Sequence, residues 1–236
     1  MPTSAQILTS DVALQRHADC VRRGYKHYFM GTIPLDKVRR LQSKFEEHYH
    51  VGEHRNVRAR RRVRGQAAAV MLFYVPPRSL SRYVSDDLDT DDEPQIGWTV
   101  LVTDGVHPAR RSESMRDATE ESQRLTLGAF QLLQRTRKGQ STPAWTWSMT
   151  RTVVAGLRER VIRSARGDLH EPVTRVLAEL YAVPGFAGVR SQVGHIVGLY
   201  RSEWRRRRQR KEPFPRLPRL GYVQRLPNRT VESSGT

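Results

Sequence analysis

A single cysteine, Cys20, stands in 236 residues, which excludes intrachain disulfides and any zinc site built from several thiolates. Long apolar runs are missing too. The longest, Ala67 to Val75 (AAAVMLFYV), has only strand length, whereas a membrane-spanning helix needs about 20 apolar residues. The opening MPTSAQILTSDVALQRHADC lacks the hydrophobic core of a signal peptide, so a cytoplasmic location is expected. Acid is scarce: 24 carboxylates face 41 cations, leaving a formal charge of +17 and a pI near 11.0. Lysine is scarcer still, and 36 of those cations are arginine. A compact chain so charged repels itself unless polyanions or counterions sit against it, and nucleic acid is the commonest such polyanion.

Metal and cofactor chemistry finds little to build on. No GxxxxGK[ST] segment is present, and the acidic stretch SDDLDTDDEPQ lacks the glycine and terminal glutamate of a calcium loop. His48, His50 and His54 (HYHVGEH) have no carboxylate or thiolate to complete a zinc set. No metal and no cofactor are therefore expected.

Periodicity supplies the elements. YKHYFMGTI (25 to 33) reads as a strand and ends at Pro34, a residue suited to the first turn of a helix. Val38, Leu41, Phe45 and Tyr49 then recur at three and four, which predicts a helix over 35–49 with Lys37, Arg40 and Lys44 outside. Ala67 to Val75 and Ile96 to Thr103 read as two further strands, the second stopped by Asp104-Gly105. Leu125 to Leu133 and Ala144 to Met149 suggest a hairpin turning at Arg137-Lys138-Gly139. Helical period follows at Val153–Ile162, Leu169–Leu180 and Val189–Gln209. Pro213, Pro215 and Pro218 end it, and GYVQRL offers a last short strand.

This order predicts an α+β protein with a ferredoxin-like (RRM-like) β-α-β-β core over 1–149, carrying a flexible basic arm (51–66) and a disordered acidic loop (85–95). An Arg-rich helical finger (150–212) and a C-terminal segment returning to the core (213–236) complete it.

Arginine gathers in three places. The arm VGEHRNVRARRRVRGQ contributes Arg58, Arg60, Arg61, Arg62 and Arg64. In the last helix Val189, Val193, Ile196, Val197, Tyr200 and Trp204 form an apolar face, and Arg190, Arg201, Arg205 and Arg208 fall near whole turns of 3.6. Arg151 and Arg158 add to the finger. Guanidinium forks bind phosphate bidentately, so such a stripe can follow a backbone without reading sequence. A solvated face is the plainer reading. The loop Val183–Val189, with Gly185 and Gly188 ahead of Arg190, either cradles one phosphate or makes a tight inter-helix turn.

The third place is the first strand, where Arg22, Arg23, His27, Tyr28 and Arg39 cluster in sequence. These residue types suffice for metal-free RNA cleavage, in which the ribose 2'-hydroxyl attacks its own phosphate. Histidine titrates near neutrality, while arginine stays charged and orients or stabilises phosphate. Tyr25, Tyr28 and Phe29 are either core or rings on which unpaired bases stack.

The strand YKHYFMGTIPL with its basic helix, the Arg-rich helical part and the late GYVQRLP together resemble the CRISPR-repeat processing endoribonucleases, in particular those of type IV systems. The resemblance implies a ferredoxin-like fold that cuts repeat RNA without metal and stays on the crRNA beside other subunits of a CRISPR effector complex. It also implies catalytic roles for Arg23, Arg39 and Arg225, with His27 added by its chemistry. Gly185 and Gly188 match that family's glycine-rich loop only thinly. Two other classes compete: a non-catalytic DNA-binding protein of a plasmid or conjugative element, and a structural ribonucleoprotein subunit. Base-reading helices carry Asn, Gln and Ser among their arginines, and the last helix here is mostly bare arginine.

Overall fold

The computed structural model describes residues 6–77, 95–136, 139–167, 172–208, 213–215, 220–227 and 230–231. The chain divides into two compact units, the first holding described residues to 127 and from 225, the second residues 128–224. The hairpin residues from 130 on fall in the second unit, with the helices.

The first unit begins earlier than predicted. Strand β1 (Ile7–Leu8) leads through Thr9 into helix α1 (Ser10–Arg22), whose Val12, Leu14, His17, Ala18 and Val21 are buried. Asp11 and Arg22 sit at the helix ends where the macrodipole favours their charges. Ser10 Oγ donates to the Val75 carbonyl at 3.0 Å, tying the start of α1 to the end of β3 (Ala69–Tyr74).

The elements predicted next are found within a few residues. Strand β2 (His27–Pro34) is followed by a single 3-10 turn, Leu35–Lys37, and by α2 (Val38–Tyr49). β4 (Gln95–Val102) pairs antiparallel with both β2 and β3, while β1 pairs parallel with β3. With β5 (Arg116–Asp117) and β9 (Thr230–Val231) at the edges, the mixed sheet runs β5-β2-β4-β3-β1-β9. Its core against α2 is aromatic: Phe29 meets Phe45, Tyr49 and Trp98, each at a ring separation of 5.8 Å and near edge-on. A four-residue helix, α4 (Ala109–Ser112), follows β4, and β6 (Thr126–Leu127) ends the continuous part of the unit.

The basic arm is not a flexible loop. Residues Arg55–Val63 form helix α3, capped by His54, whose Nδ1 accepts from the Asn56 N–H at 3.4 Å. Its apolar residues are too few for a period to show, and no α3 residue is buried. The acidic loop at 85–94 and the Arg137-Lys138 turn lie outside the described residues.

Among the described residues the second unit holds a hairpin and three helices, of which the last packs on the second hairpin strand. β7 (Phe130–Thr136) pairs antiparallel with β8 (Pro143–Met149), so the first hairpin strand starts at Phe130 rather than Leu125. Helix α5 (Arg151–Arg166) is opened by Thr150, whose Oγ1 accepts from the Val153 N–H, and closed by Gly167 in the left-handed region. α6 (Val173–Tyr181) is joined to α5 by the Arg160–Glu179 ion pair. α7 (Ala187–Arg208) buries the predicted face, Val189, Val193, Ile196, Val197, Tyr200 and Trp204. Ser164 and Tyr200 share a buried hydroxyl–hydroxyl bond of 2.6 Å between α5 and α7.

Gly188 explains how α7 can meet the hairpin. A Cβ there would stand 2.4 Å from the Trp147 carbonyl and 2.1 Å from Ser148 Oγ. Only glycine allows the approach. The GYVQRL segment is not a strand; its Val223 N–H bonds the Gly185 carbonyl, and the final strand is β9 beyond it.

Candidate nucleic-acid interface

Helix α3 carries Arg55, Arg58, Arg60, Arg61 and Arg62, and Arg64 follows it. Residues three and four apart lie about 5–6 Å from each other on a helix. Arg58 faces Arg62 and Arg60 faces Arg64 at that spacing, and a like-charge pair so placed on a helix destabilises it by about 0.2–0.5 kcal/mol. With no buried side chain to offset this, the helix is held by specific partners. Arg61 makes a bidentate pair with Glu53, Nε donating to Oε2 at 2.7 Å and Nη2 to Oε1 at 2.5 Å. Arg62 lies over the Tyr25 ring, 5.9 Å from its centroid, and donates to the Arg23 carbonyl at 3.3 Å. Arg58 has a buried Nε without a hydrogen-bond partner among the described residues. The remaining forks, Arg55, Arg60 and Arg64, are exposed.

The contacts of Arg62 set α3 beside the C-terminal end of α1, where more arginines gather. Asp19 is shared by Arg16 (3.5 Å), Arg22 (3.7 Å) and Arg225 (2.5 Å). Arg16 also donates to the Leu226 carbonyl, and Gln15 accepts from the Leu226 N–H, so the C-terminal segment is tied to α1. Arg23 is exposed just past the helix. Arg23, Arg58 and Arg16 all act on the Cys20 thiol, yet burial outweighs them and pushes its pKa up to about 11.

The catalytic candidates are not gathered in one place. Arg23 and Arg225 stand at the end of α1. His27 opens β2, with Nε2 2.7 Å from Asp104 Oδ1 and Nδ1 3.7 Å from Asp117 Oδ2. The bond to His27, with Lys26 (3.6 Å) and Arg110 (4.0 Å) nearby, holds the Asp104 carboxyl below its ordinary range. Arg39 lies near the far end of β2: Val38 beside it belongs to the apolar cluster against which Ile33 packs, while at the other end of α2 Tyr49 meets Phe29 edge-on. At about 3.3 Å per residue the strand separates the two ends by about 20 Å. Arg39 and His27 do not share a site.

Tyr25, Tyr28 and Phe29 are core. Each is 7 % exposed or less, and the Tyr28 hydroxyl donates to the Gln123 and Arg124 carbonyls. Bases do not stack on them. The three histidines of HYHVGEH serve separate local structures. His48 bonds the Lys44 carbonyl, His50 ends α2 at φ 53°, and His54 caps α3.

In the second unit Arg151 and Arg158 are exposed on α5. Arg190 stacks on Tyr222 with its guanidinium carbon 3.5 Å from the ring centroid, and Arg201 lies over Phe214 at 5.4 Å. Arg205 is exposed; the side chain of Arg208 lies outside the described residues. Glu203, which Arg206 holds below the ordinary carboxylate range, also lies 3.8 Å from Arg166. The predicted phosphate cradle is otherwise engaged, since the Gly188 N–H donates to Thr146 Oγ1 and Gly185 is packed under the Gly221 carbonyl.

The residues missed from sequence are Asp104, Asp117, Arg16 and Asp19. A signal existed for the first: pairing of His27 with Val102 carries Asp104 next to the imidazole, and both strands were predicted. No protein-family model matches this chain, and neither the curated proteins nor the solved structures compared with it gave a match.

Proposed function

We propose that this chain binds RNA by its phosphate backbone, gripping it along α3 and the C-terminal end of α1. The observation that carries the reading is α3 itself, a helix with five arginines, no buried residue and neighbouring guanidiniums that repel each other. A polyanion laid across it removes that repulsion and releases its own counterions, so affinity should fall steeply with salt.

The resemblance extends the proposal to a CRISPR repeat hairpin, cut without metal by 2'-hydroxyl attack, with the protein retained on the crRNA in an effector complex in the cytoplasm. His27, paired with Asp104, is the candidate for proton transfer, and Arg23 for charge stabilisation. Arg39 and Arg225 then contact RNA without touching the reacting phosphate. A ferredoxin-like origin belongs to the same proposal. In its favour, β4 lies between β2 and β3 around the α2–α3 crossover; against it, β1 and β3 run parallel and both crossover helices precede β3.

The scatter of the catalytic candidates favours a second reading, an RNA-binding subunit that does not cut. Incubating the protein with labelled hairpin RNA in EDTA separates the two. Products ending in 2',3'-cyclic phosphate, reduced about 10²- to 10⁴-fold by His27→Ala, support cleavage. Salt-sensitive binding with intact RNA supports the subunit. Preference for duplex DNA refutes both.

A further inference from the structure

We propose that a cavity in the second unit, bounded by α5, α7 and the hairpin, seats one unpaired nucleotide of the bound RNA, an inference that rests on the RNA reading and deepens it. The cavity measures about 420 Å³, within the range of small-ligand sites. Its lining divides by chemistry. Met149, Val154 and Ala155 supply an apolar floor; Gln131 and Gln192 supply amides; Arg151 and Arg158 stand at the rim. No carboxylate is among them.

The two arginines are seven residues apart on α5, which places them about 10 Å apart along the helix axis. Forks on long side chains at that spacing can reach the phosphates on either side of one nucleotide. Between them the floor is apolar enough to take the face of a base, an arrangement an acidic peptide would not fill. The Gln131 amide offers N–H donors beside a carbonyl acceptor, the combination that glutamine presents to an adenine edge. Gln192 instead holds the wall in place. Its Nε2 donates to the Met149 carbonyl at 3.0 Å and its Oε1 accepts the Met149 N–H at 2.7 Å. This pair of bonds pins α7 to the end of β8, so the wall is formed before any ligand arrives.

The test titrates the full chain into fluorescein-labelled octa-adenylate RNA and into an abasic octamer with the same sugar-phosphate backbone, following anisotropy between 50 and 200 mM salt. Ala155 is exposed on α5, so Ala155→Trp fills the cavity without entering the core. It should weaken octa-adenylate binding about tenfold, the scale of one stacked base, and leave the abasic octamer unchanged. Gln131→Leu should show the same selectivity. Arg151→Ala/Arg158→Ala should weaken both ligands and lower the salt slope by about 1.4, two single-strand phosphates' worth. Equal binding of octa-adenylate by wild type, by Ala155→Trp and by Gln131→Leu overturns the inference, as does equal loss on the two ligands. If salt-dependent binding persists in that case, the grip by α1 and α3 survives; if the wild type binds neither octamer, both proposals fall.

Discussion

His17 makes the sheet unit sensitive to mild acid. Its ring is fully buried in α1, edge-on to Tyr74 at 5.2 Å. Nδ1 lies 2.7 Å from the Ala13 carbonyl and donates to it, while Nε2 is buried with no hydrogen-bond partner among the described residues. An imidazolium there would carry a second N–H with nothing to accept it. Burial accordingly lowers the pKa from 6.5 to about 4. Between those values the unfolded chain holds a proton that the folded chain refuses, so stability falls as pH falls. The contribution is fully present above pH 6.5 and lost by pH 4, at about 1.4 kcal/mol per pH unit, or about 3 kcal/mol over the window. His17→Phe keeps the ring and the contact with Tyr74 and removes the titration. The Ala13 carbonyl keeps its α-helical partner, so the variant should match wild type at pH 7 within about 1 kcal/mol. At pH 4.5 it should exceed wild type by more than about 2 kcal/mol, a shift in the urea midpoint on the order of 1 M. Urea unfolding followed by circular dichroism at several pH values measures the difference, and subtraction cancels groups common to both proteins, Asp104 and Glu203 among them. Parallel midpoints for the two proteins from pH 7 to 4.5 would refute the reasoning.

Two further outcomes follow from particular contacts. Gly188→Ala forces α7 away from the Trp147 carbonyl and Ser148, and should destabilise the second unit by about 1–3 kcal/mol in urea unfolding; an unchanged midpoint would show that the approach is not constrained. Replacing Arg55, Arg60 and Arg64 together by Gln leaves the Glu53 and Tyr25 contacts of α3 intact. It should cut the salt slope for single-stranded RNA by about 2, measured by anisotropy, and a slope equal to wild type would place the grip elsewhere.

Regular periods were legible wherever a helix or strand buries one continuous face. α2 and α7 show this best: Val38, Phe45 and Tyr49, or Val193, Ile196 and Tyr200, recur at helical spacing because one side of each helix is all they hide. α1 escaped because Gln15 and His17 are buried among its apolar residues, which blurs the contrast between faces. α3 escaped for the opposite reason, having no apolar face at all. GYVQRL has the composition of a strand, but its main chain is engaged by Gly185 rather than by a sheet edge. β-Propensity cannot tell those partners apart.

Composition alone determined the charge, the scarcity of thiols and the concentration of arginine, and these argue for a polyanionic partner whatever the fold. Tertiary structure decided which charges act together. Arg225 joins the end of α1 across the length of the chain through Asp19, while Arg39, only 12 residues from His27, lies at the other end of the same strand. It also decided that Tyr25, Tyr28 and Phe29 are core and that Arg151 and Arg158 flank a cavity. The reason is physical: net charge sums over a sequence without regard to position, whereas the interaction of any two groups depends on distance and burial, which only the folded chain sets.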